Sequence, residues 1–88
     1  MSTIQINTAD DVYQFVERLK TECERHSANE LLECLNSAIR MGSSGLEIMG
    51  ALRKVLLTNT QSIQKLLGSE AEDQARKVVE FVDRAFGR

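Results

Sequence analysis

The amino-acid sequence predicts an all-α fold, a small up-down helical bundle of four main helices, with a fifth short one where the third is broken near residue 60, and a short extended N-terminal arm. Three observations carry this. The 88 residues contain no proline, the residue that interrupts helices and punctuates long loops. Only Tyr13, Phe15, Phe81 and Phe86 are aromatic, too few for an aromatic-rich sheet. A hydroxyl residue followed three positions later by an acid, the capping box, recurs at Thr8/Asp11, Ser27/Glu30, Ser44/Glu47 and Ser69/Glu72. Each match opens a segment whose apolar residues repeat with helical period.

The chain reads as one helical domain over 1–88, with residues 1–8 as the arm. In the arm Thr3-Ile4-Gln5-Ile6-Asn7 alternates like a strand, but a lone strand is not stable, so its isoleucines are expected to lie over the bundle. The first helix spans 9–26, with Val12, Phe15, Val16, Leu19 and Cys23 on one stripe. Asp10 and Asp11 at its start, and Arg25 and His26 at its end, suit the helix dipole. The second spans 28–41, with Ala28, Leu31, Leu32, Leu35, Ala38 and Ile39 on its apolar side and Gly42 as an expected left-handed stop. The short Gly42-Ser43 turn predicts that the third helix returns antiparallel to it.

The third helix, 45–57, is unusual. Leu46, Ile48, Met49, Ala51, Leu52, Val55, Leu56 and Leu57 point in almost every direction, and only a wedge of Glu47, Gly50 and Lys54, with Arg53 beside it, is not apolar. A helix apolar nearly all round is expected to be buried, either at the centre of its bundle or beneath another chain. Gly45 and Gly50 are expected to permit close packing there. Thr58, Asn59, Thr60 and Ser62 are poor helix formers and predict a break before a short helix over 62–67. The competing reading is one helix from 45 to 67 with a heptad seam. The last helix spans 70–86, with Ala71, Ala75, Val78, Val82 and Ala85 as its stripe, flanked by Val79, Phe81 and Phe86.

Composition excludes several classes of function. Thirteen acids against eleven bases give a net charge of −2 and a pI near 5.4, without the clustered basic face of a nucleic-acid module. No apolar run approaches the ~20 residues of a membrane span, and no basic-then-apolar N-terminal segment of the secretory type is present, so a cytoplasmic protein is expected. Cys23 and Cys34 lack any C-x-x-C partner and read as buried small hydrophobes in a reducing compartment. With His26 they supply at most three metal ligands where a structural zinc site needs four, so no metal and no cofactor is expected. Cys23 and His26 share a helix face, but nothing orients the pair as a nucleophile and base. Gly42-Ser43-Ser44-Gly45 lacks the lysine of a phosphate loop and reads as a turn followed by a helix cap. The unit made by the second and third helices resembles a helix-turn-helix only in outline, because its second helix is apolar rather than basic.

The functional expectation is a small non-enzymatic interaction protein that self-associates, with a homodimer as the expected partner arrangement. At this length a single core is close to the marginal limit of roughly 70–80 residues, and a second copy adds buried surface. Leu46, Met49, Leu52, Leu56, Val79, Phe81 and Phe86 are the expected core or interface residues, the two roles being inseparable from sequence. An alternative is an inhibitor or immunity-type module that binds another protein through the acidic faces of the first and last helices. A further alternative is a helix-turn-helix-like nucleic-acid regulator.

Overall fold

The computed structural model describes residues 5–42 and 44–86, apart from the side chains of Met41 and Phe86. Among the described residues the chain forms five helices and no strand: α1 (Ala9–Arg25), α2 (Asn29–Met41), α3 (Gly45–Thr58), α4 (Thr60–Leu67) and α5 (Ser69–Phe86). The predicted all-α class holds. The helices α1, α2, α3 and α5 close a ring, with α1 on α2, α2 on α3, α3 on α5 and α5 on α1. The short α4 packs on α5, and its Ser62 and Leu66 lie beside His26, Ser27 and Leu31 at the α1–α2 turn. Inside the ring Phe15, Leu19, Leu35, Met49, Leu52, Leu56 and Val78 are fully buried.

The start of α1 follows its sequence signal. Asp11 N–H donates to Thr8 Oγ1 at 3.2 Å, and Asp11 Oδ2 accepts from the N–H groups of Thr8 at 3.0 Å and Asn7 at 2.9 Å. Those backbone donors, Asn7 foremost, hold the Asp11 carboxyl below its ordinary range. Just before this cap, Ile6 is buried in the main core, as expected of the arm. Ile4, the arm's other isoleucine, lies outside the described residues.

The turn from α1 to α2 departs from expectation. Ser27 does not cap α2: it takes φ 57°, and Ala28 is the N-cap with no side-chain bond. The reason lies in how α1 ends. Ala28 N–H donates to Cys23 O at 2.8 Å and Ser27 N–H to Glu24 O at 3.3 Å, the two crossed bonds of a Schellman motif. Cys23 and Ala28, the apolar pair that accompanies the motif, are both buried. Ser27 therefore occupies the left-handed position that closes α1, and its hydroxyl is lost to α2.

Gly42 also differs from its predicted role. Its backbone is extended, φ −79° and ψ 133°, and not left-handed. What demands glycine there is space: a Cβ would stand 2.5 Å from Ile48 Cγ1 and 2.9 Å from Ile48 N. Around Gly45, by contrast, nothing comes within 4 Å of an added Cβ, so that glycine does not serve close packing.

The predicted break before α4 is present but only one residue long. Asn59 closes α3 by donating its side-chain Nδ2 to Val55 O at 2.8 Å, and Thr60 Oγ1 donates to Leu56 O at 2.9 Å. Side chains that bond to the preceding turn compete with continuation of the helix, which ends α3 and excludes the single long helix. At the other end of α4, Gly68 takes φ 93° and ψ 171°, a region open in practice only to glycine. The Glu72 N–H then donates to Gly68 O, so α5 begins at Ser69, one residue before the predicted start. Its buried stripe is Ala71, Gln74, Ala75, Val78 and Val82, while Ala85 is exposed.

Candidate interaction surface

The helix that reads as apolar all round is not at the centre of the bundle. Met49, Leu52 and Leu56 of α3 are buried, Ile48, Ala51 and Val55 are half-buried, and Leu46 and Leu57 are 56% and 49% exposed. In a ring of four helices each member shows one side to solvent, and α3 shows the side bearing Leu46, Glu47, Gly50, Lys54 and Leu57. With Leu66 on α4, 42% exposed, Leu46 and Leu57 are the large apolar side chains left most open to water among the described residues.

Two structural constraints fix that outward side. On the α5 flank, Arg53 Nε donates to Asp83 Oδ1 at 2.7 Å, and Leu57 lies beside Ala75 and Arg76. Later residues of α3 meet earlier residues of α5, so the two helices run antiparallel. On the α2 flank, the approach of Gly42 to Ile48 sets the spacing of the hairpin. Between α2 and α3 lies an open groove of about 730 Å³. Ala38, Ala51 and Val55 line it with the exposed Cys34, and Glu30, Glu33 and Lys54 supply its charge.

The seven residues expected in the core or at an interface now separate. Met49, Leu52 and Leu56 are core. Val79 and Phe81 are half-buried and pack against it. Leu46 projects into solvent. The side chain of Phe86 lies outside the described residues. The expected set omits Leu57 and Leu66, and their signal was available: both fall where the helical wheel turns from apolar to polar.

Cys23, His26 and Ser44 occupy core and helix-capping positions. Cys23 is wholly buried, and burial raises its thiol pKa, with the neighbouring Glu22 carboxylate adding to the effect. Both influences oppose formation of the thiolate that a nucleophile requires. The Cys34 thiol is exposed, contrary to its expected burial, and both cysteines are free. His26 is the C-cap of α1, with Nε2 3.6 Å from Glu22 Oε2. Ser44, at the glycine-serine turn, accepts the Glu47 N–H at 3.3 Å, which is the cap predicted for α3. Ser43 lies outside the described residues. Among the described residues no three metal-ligating side chains converge, and no helix is long and apolar enough to cross a membrane.

No family model matches the chain, and no curated protein or solved structure is significantly similar to it.

Proposed function

We propose that this chain is a non-enzymatic interaction protein that self-associates through the outward side of α3. One observation carries the reading: Leu46, Leu57 and Leu66 remain 56%, 49% and 42% exposed in a chain that otherwise buries its leucines at least in large part. Leu46 and Leu57 lie on one stripe of α3, at opposite ends of its outward side, and two open leucines on one helix face support association more than scattered single residues do. A second copy supplies apolar surface of matching character by symmetry. The free cysteines support placement in the reducing cytoplasm.

Replacing Leu46 and Leu57 together with glutamate tests this. The wild-type chain is expected to sediment as a dimer at tens of micromolar. The double variant is expected to be monomeric, with unchanged helical circular dichroism because neither side chain is in the core. A wild-type chain that stays monomeric throughout a concentration series rejects self-association.

A further inference from the structure

We propose that the outward face of α3 pairs antiparallel with the same face of a second copy, about a two-fold axis passing between Gly50 and Ala51, so that Glu47 of each chain meets Lys54 of the other. The inference rests on the self-association reading and specifies its register.

Three features of α3 lead to it. Glu47 and Lys54 are both exposed and stand seven residues apart, about two turns, so they lie on one line along the helix. A two-fold axis perpendicular to the helix and midway between them reverses the second copy's direction and sets each acid against the other chain's base. The same axis passes beside Gly50, the smallest residue of that outward side, where two backbones approach most closely.

The apolar residues share this symmetry. Leu46 and Leu57 lie on the same stripe as Gly50, one toward each end of α3. Under the axis, Leu46 of one chain comes within two residues of the partner's Leu57 along the helix direction, a stagger of about 3 Å. Leucine side chains interdigitate at that offset rather than meet head-on. A parallel pair about an axis along the helices would place Glu47 on Glu47 and Lys54 on Lys54, so charge selects the antiparallel arrangement.

The neighbouring charges are compatible. Arg53, on the opposite flank, is held by Asp83 at 2.7 Å. Glu30 and Glu33 of α2 border the same groove as Lys54, so reversing Lys54 gathers acids there and strengthens repulsion in that variant. Contact centred on a single helix pair falls at the small end of stable interfaces, on the order of 1,000 Å², which corresponds to weak, concentration-dependent association.

The test uses two opposite charge reversals, E47K and K54E, in the full chain at low ionic strength, with circular dichroism to confirm folding. Sedimentation from about 1 µM to about 1 mM gives the dimer Kd of the wild type, of each variant and of their equimolar mixture. Each variant alone opposes like charges twice per dimer, and its Kd is expected to rise about tenfold or more. In the mixture every pair is again acid against base, so the heterodimer is expected to recover near-wild-type affinity. A wild-type dimer with both variants equally dimeric overturns the register and leaves self-association standing. A monomeric wild type at the top of the series removes both.

Discussion

The two sides of α3 both carry leucine, in different surroundings. Leu52 and Leu57 are both leucines in one helix, yet the first is 0% exposed and the second 49%. Inward, Met49, Leu52 and Leu56 fill the space enclosed by the ring. Outward, Leu46 and Leu57 flank a strip of Glu47, Gly50 and Lys54. Burying a leucine contributes about 1.5–3 kcal/mol to folding only where neighbours surround it. The inward leucines therefore stabilise the chain itself, and the outward ones contribute little to it.

The sharpest way to break this contrast is to truncate both sides. Leu52→Ala is expected to cost about 2–5 kcal/mol in urea unfolding, from lost transfer energy and the cavity left behind. Leu57→Ala, measured at a concentration where the chain is monomeric, is expected to stay within about 0.5 kcal/mol of wild type. Equal losses at the two positions would show that α3 has no outward side.

The two glycines that flank the α2–α3 turn extend the contrast to the backbone. Gly42→Ala drives a methyl into Ile48, including its backbone nitrogen, and is expected to cost about 1–3 kcal/mol. Gly45→Ala meets open space at the start of the helix and is expected to be neutral or to stabilise by up to about 1 kcal/mol. Thermal melting of the pair separates close approach from chain stiffness.

The smallest expected effect is remote from α3 and serves as its control. Asp11 has a lower pKa in the folded chain than in the unfolded one, so its contribution is complete above the ordinary aspartate range. That contribution disappears as pH falls through the lowered pKa. Asp11→Asn is expected to melt slightly below wild type at pH 7, with the gap closing as pH falls through and below the ordinary aspartate range. The Leu52→Ala loss, measured in parallel, is expected to persist there because no titrating group carries it.

Much of the architecture is legible in the residues because local rules decide it. The stripes of α1 and α5, the Thr8 and Ser44 caps and the break at Asn59 all depend on neighbours a few positions away. What escaped depends on tertiary placement. Ser27-x-x-Glu30 has the spelling of a cap, but the Cys23–Ala28 contact that closes α1 recruits Ser27 first. Gly42 has the spelling of a helix stop, but the nearness of Ile48 is what requires it. For α3 a helical wheel reports where side chains point and not how many helices stand around them. It therefore identifies Leu46 and Met49 alike as core or interface and cannot separate them. Gln74 was missed for a related reason: its spacing belongs to the buried stripe of α5, and only its polar identity conceals that.

The two cysteines make the chain its own folding clock. Cys34 is open to a thiol reagent in the native state, while Cys23 is sealed in the core with its thiolate further suppressed. One added mass marks a native chain and two mark one that has opened. Where the reagent modifies the open thiol faster than the chain recloses, the second addition proceeds at the pace at which α1 leaves the core. Wild-type protein thus reports its own opening without an engineered probe, and the first label sits on the groove beside the outward side of α3.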